Sequence, residues 1–132
     1  QLLMQWLRIA YKGHAKEIIT WVSDILTGNK KKGIEKLRRK DQILFLEYVL
    51  HFLRQGLTMR YAGQEHAAFL NPKEAQFAHK MLPLLSLQQL QQLIANLNDN
   101  LYYIERNANA KILFTDLTIS VHQVFRASRK RA

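Results

Sequence analysis

Between residues 87 and 104 the apolar residues Leu87, Leu90, Ile94, Leu97, Leu101 and Ile104 recur at intervals of three, four, three, four and three. Side chains at those intervals share one face of an α-helix, whereas a half-buried strand needs alternation at every second residue. The segment is therefore read as a helix with an apolar seam, and Ser86 ahead of it is a good N-cap. Such a seam packs either against the rest of its own chain or against a partner helix. Its short length, and the other amphipathic segments around it, favour the first.

The same spacing recurs along the chain. Leu3, Trp6, Leu7 and Ala10 form one helical face, punctuated by Gly13. Ile18, Ile19, Val22, Ile25 and Leu26 form a second, closed by Gly28 and Asn29. Lys30, Lys31 and Lys32 read as a basic linker ending at Gly33, followed by a long helical pattern through Leu37, Phe45, Tyr48, Val49, Phe52 and Leu53 to about Met59. Asn71 and Pro72 have the chemistry of an N-cap and a first helical residue, which predicts a short helix to about Met81, with Pro83 as its stop. A last helix carries Phe114, Leu117, Val121 and Val124 on one face, and Arg126 to Arg131 then trail off as a basic tail. Five Gly and two Pro in 132 residues are too few for a chain of many short strands. The expected fold is all-α, a single compact bundle of about five to six helices spanning residues 1–132.

Cysteine is absent, which removes disulfides, thiolate metal sites and cysteine nucleophiles, and nothing points to an oxidising compartment. A cytoplasmic location is therefore the default expectation, and no membrane partner is expected because the apolar runs are broken well before the ~20 residues of a span. The opening Gln-Leu-Leu-Met-Gln-Trp-Leu starts inside an amphipathic pattern without an initiator Met, so a further region is expected upstream.

His14, His51, His66, His79 and His122 are scattered, with no pair four apart, and read as surface or interface histidines ahead of metal ligands. Ser23, Ser86, Ser120 and Ser128 lack the setting of a nucleophile elbow. The run from Gly28 to Gly33 has glycines and lysines without the phosphate-loop pattern. The expectation is a non-catalytic domain with no cofactor, no metal and no small-molecule substrate.

Twenty Lys and Arg against ten acidic residues give a net charge of +10, which favours nucleic acid, anionic membranes or acidic proteins without specifying any of them. If Lys36, Arg39 and Lys40 share a helical face, they and Lys30, Lys31 and Lys32 are candidate phosphate contacts. The alternative is a solvated loop, a solvated helix face and a frayed terminus, favoured because few aromatic residues interleave the charges.

The segment Tyr103 to Leu117, reading Tyr-Ile-Glu-Arg-Asn-Ala-Asn-Ala-Lys-Ile-Leu-Phe-Thr-Asp-Leu, resembles the last helix-turn-helix of the delta-prime subunit of bacterial DNA polymerase III. Arg106, Asn107 and Asn109 match an Arg-Asn-Asn motif of clamp-loader subunits, while Ala110 stands where many relatives have Pro. A weaker similarity covers Gly33 to Gln55, through Gln42, Phe45, Leu46, Tyr48 and Arg54, and Leu3 to Leu26 with Trp6 and Trp21 is compatible with it. The resemblance implies a collar domain that holds a clamp-loader ring together during sliding-clamp loading in DNA replication. It further implies an upstream ATPase-like region, other clamp-loader subunits as partners, and contact with DNA through the assembled complex.

On chemistry alone, Asn107 tolerates the left-handed conformation that ends a helix and Asn109 can cap the next one. Arg106 can bond carbonyls or an acidic partner across that turn, so these residues serve either the fold of one chain or a contact between subunits. Tyr102, Arg106, Asn107, Asn109 and Lys111 are the expected interface residues, since at least one of Tyr102 and Tyr103 should fall off the buried stripe. A free-standing basic helical domain binding DNA or RNA through phosphates is the alternative function.

Overall fold

A computed structural model describes residues 2–63, 68, 69 and 72–131. Among them the chain forms six α-helices: α1 (Leu2–Lys12), α2 (Ala15–Thr27), α3 (Arg39–Ala62), α4 (Pro72–Met81), α5 (Leu87–Glu105) and α6 (Ala110–Arg131). No strand occurs among the described residues, and the all-α expectation holds. The expected cap Asn71 and the histidine His66 lie outside the described residues.

The ends of the helices follow the local chemistry. Gly13, Gly28 and Gly63 adopt positive φ directly after α1, α2 and α3, where the chain must leave a helix. At the start of α5, Ser86 Oγ accepts from Gln89 N at 3.1 Å while Gln89 Oε1 accepts from Ser86 N at 2.9 Å, a reciprocal capping box that satisfies two otherwise unpaired donors.

Three elements depart from expectation. Lys30–Lys32 form a single 3-10 turn and not a linker, closed by an antiparallel bridge in which Asn29 N donates to Ile34 O at 2.8 Å and Ile34 N to Asn29 O at 2.9 Å. Leu37 precedes α3; its N–H bonds Ile25 O at 2.7 Å, which holds residues 35–38 out of the helix. At the other end, α6 continues to Arg131, so the basic tail is helical. Ser128 Oγ donates to Leu84 O and the guanidinium of Arg129 lies 4.7 Å from the Tyr11 ring centroid, two long-range partners that secure this last stretch.

α6 packs on α1, α2 and α5, while α5 also packs extensively on α3. Phe45 of α3 is the hinge of the core, 5.8 Å from Trp6 of α1 and 6.2 Å from Phe114 of α6 between ring centroids. Around Phe52, Phe69 and Phe77 stand at 5.8 and 6.3 Å. On α5 the buried apolar set is Leu90, Leu93, Leu97, Leu101 and Ile104, so Leu93 replaces Ile94, which is half-buried like Leu87. Packed between α3 and α6, α5 buries a wider stripe than one seam. On α2 Trp21 is buried, and Ile19 is exposed.

Candidate interaction surface at the α5–α6 turn

The turn between α5 and α6 is built by two asparagines. Asn107 takes φ 67°, the left-handed region that Asn tolerates better than other side chains, and its N–H bonds Ile104 O at 3.2 Å. Ala108 N reaches back to Tyr103 O at 3.1 Å. Asn109 Oδ1 accepts from Ile112 N at 3.1 Å, capping the next helix, and Ala110 starts α6 without difficulty in the first turn. From the start of α3, Arg39 Nη1 donates to Ile104 O, which closes the carbonyl end of α5.

The ends of α5 and α6 beside this turn present an exposed aromatic and apolar surface. Tyr102 is 54% exposed, Tyr103 55% and Ile112 66%. The two tyrosine rings meet edge to face at 5.7 Å, and Arg106 lies 3.6 Å from the Tyr102 centroid while its Nη1 donates to Tyr102 O at 3.1 Å. Arg106 thus stiffens Tyr102 by stacking and by a backbone bond at once. Tyr103 and Ile112 border a groove of about 470 Å³ between α5 and α6, whose polar lining includes Asn96, Asp99, Asn100 and Asp116. No Lys or Arg lines it, and neither Asp99 nor Asp116 has an ion-pair partner among the described residues. Lys111 is exposed beside the turn.

The candidate phosphate residues do not converge as expected. Lys36 lies in the extended stretch before α3, so no helical face joins it to Arg39 and Lys40. Arg39 turns its guanidinium to Ile104 O. Lys32 Nζ is paired with Asp24 Oδ2 at 2.9 Å, and Asn29 Nδ2 donates to Asp24 Oδ1 at 3.0 Å. The Asn29 bond, then that of Lys32, holds the Asp24 carboxyl below its ordinary range. Lys30, Lys31 and Lys40 remain exposed to solvent.

Among the histidines, His122 Nδ1 donates to Ala10 O at 3.0 Å and His51 Nε2 to Ala68 O at 3.1 Å, so both serve the fold. Among the described residues no group of three or more His, Cys, Asp or Glu is placed to hold a metal ion. No described helix is long and apolar enough to cross a membrane.

Ile112 was not singled out from the sequence, although it falls off the Phe114, Leu117, Val121 and Val124 stripe, and that misfit was its signal. Asp99 and Asp116 carried no such signal, because they meet only through the packing of two helices.

The fold and this surface together define a small all-helical domain with an ordered aromatic turn. Comparison with protein-family models, with curated proteins and with solved structures finds no match to this chain.

Proposed function

We propose that the chain is a non-catalytic assembly domain, and that it serves as a collar domain of a bacterial DNA polymerase III clamp loader, in the position of the delta-prime subunit. One observation carries the reading: Tyr102, Tyr103 and Ile112 stand exposed on the two helices that flank a hydrogen-bonded turn, inside the very segment that resembles the clamp-loader motif. Tyr offers large contact area with little conformational entropy to lose, and an apolar residue beside it suits the centre of an interface. In this reading the domain contributes binding surface alone, joined to other helical domains in a ring, and ATP-dependent chemistry belongs to a region upstream and to its sister subunits. The protein is then an intracellular replication factor that reaches DNA within its complex.

The test is light scattering after size exclusion, on the chain alone and mixed with the remaining clamp-loader subunits, at low and moderate salt. A defined complex that survives moderate salt is expected. Ile112→Arg, which leaves the buried face of α6 untouched, should weaken that complex at least about tenfold by placing a charge in the contact. Failure of every subunit to bind the folded chain would refute the proposal.

A further inference from the structure

The sequence contains runs of basic residues, but the fold gathers a different set. On α1, Arg8 and Lys12 are four residues apart and so share a face, with Tyr11 beside them. On α4, Phe77 and Lys80 are three apart and face the same way. Arg8, Tyr11, Lys12, Phe77 and Lys80 line one pocket of about 450 Å³, with Met81 and Leu84 completing an apolar floor. Arg129 reaches the same place from the end of α6, lying over Tyr11, whose ring also meets Phe125 at 5.5 Å. The bond from Ser128 to Leu84 fixes this end of α6 beside the pocket wall.

Both guanidiniums are set against aromatic rings. The Cζ of Arg8 is 5.5 Å from the Phe77 centroid and that of Arg129 is 4.7 Å from the Tyr11 centroid. A stacked guanidinium keeps its N–H edge free and gives up less side-chain entropy when it binds a bidentate oxyanion. Arg8, Lys12, Lys80 and Arg129 form no ion pair among the described residues, and no acid lines the pocket. The carbonyl ends of α1, α4 and α6 bring about half a negative charge each, still short of four full cations.

We propose that Arg8, Lys12, Lys80 and Arg129, around the Tyr11 and Phe77 rings, form a binding site for the phosphate backbone of a single-stranded nucleic acid. Four unpaired cations call for several anionic groups in a row, which consecutive phosphodiesters supply at one charge per nucleotide. The apolar floor gives the sugars and bases of a single strand a surface to lie on, which the stacked bases of a duplex would not use. This site is separate from the α5–α6 turn and needs no partner subunit.

The experiment is fluorescence anisotropy of a labelled oligothymidylate of about a dozen nucleotides, titrated with the full chain across a salt series. The Arg8→Gln/Arg129→Gln pair is compared with Lys30→Gln/Lys31→Gln, which removes the same charge from the 3-10 turn, whose residues do not line the pocket. The first pair should weaken binding at least about fivefold and lower the salt slope by about 1.4, as expected for two lost single-strand phosphate contacts, while the second changes little. Lys12→Gln/Lys80→Gln, which disturbs no ring contact, should repeat the loss and so separates charge from folding. Equal losses from the arginine and control pairs would mean diffuse attraction and overturn the site. A labelled polyglutamate peptide that binds more tightly than the oligonucleotide, and is the ligand that the arginine pair weakens, would overturn the nucleic-acid assignment in favour of an acidic protein.

Discussion

The indole N–H of Trp6 donates to Thr118 Oγ1 at 2.8 Å in the buried core, tying α1 to α6, and Thr118 Oγ1 in turn donates to Phe114 O at 2.7 Å. Thr118→Val keeps the shape and strands the indole donor in an apolar setting, at a cost of about 1–3 kcal/mol. Trp6→Phe removes the donor but also leaves unfilled volume. In a double-mutant cycle by urea denaturation, the double variant should lose less than the sum of the two singles, because the second substitution no longer breaks a bond. Simple additivity would show that this bond contributes nothing.

Gly13 sits at φ 72°, and a Cβ built there would lie 2.0 Å from His122 Cε1. Gly13→Ala therefore meets both backbone strain and a ring held by its bond to Ala10 O, and should destabilise the chain by about 2 kcal/mol or more. Adding His122→Ala should restore part of that loss in thermal melts. Measured against His122→Ala alone, the cost of Gly13→Ala is then that of the left-handed backbone.

The α5–α6 turn allows folding and assembly to be separated. Asn109→Ala removes the cap on α6 and should cost about 1 kcal/mol, whereas Asn109→Ser should cost only a few tenths. Asn107→Gly should be close to neutral, while Asn107→Val should be strongly unfavourable at its positive φ. If the asparagines act only through the turn, Asn109→Ser assembles with partners as the parent does, and Ile112→Arg alone disrupts assembly without changing the melting temperature.

Tyr48 hydroxyl donates to Glu74 Oε2, and Glu74 is buried. Burial, and then the bond and charge of Glu74, push the Tyr48 hydroxyl well above its ordinary value of 10.0. The folded chain therefore keeps this proton to higher pH than the unfolded chain does. Tyr48 contributes stability that is present below about pH 10 and is lost as pH rises beyond it. Urea midpoints measured across that range should fall more steeply for the parent than for Tyr48→Phe. At pH 8 the variant should be less stable by about 1–3 kcal/mol, because a buried carboxylate has lost a donor.

Much of the fold was legible because helix chemistry is local. Ser86 with Gln89, Gly28, and Asn107 with Asn109 act within a few residues of themselves, so their roles follow from type and spacing. Misreadings arose where a distant partner decides. Leu37 looks helical until Ile25 O claims its N–H, and Arg39 looks like a surface cation until the open end of α5 takes it. Leu93 displaces Ile94 because α5 has neighbours on two sides. The cluster around Tyr11 and Phe77 had no linear trace, since its cations come from the ends of three helices spread across the sequence.

The pairing of Trp6 with Thr118 joins residues 112 positions apart. At ~5–20 residues synthesised per second, the first helix waits on the order of ten seconds for its partner to be made. During that interval Leu3, Trp6, Leu7 and Ala10 have no α6 to cover them. Folding of the N-terminal pair is thus tied to the synthesis of α6. A ribosome stalled before α6 would release a chain with an open apolar trough, and such a product is a natural client for chaperones or proteases.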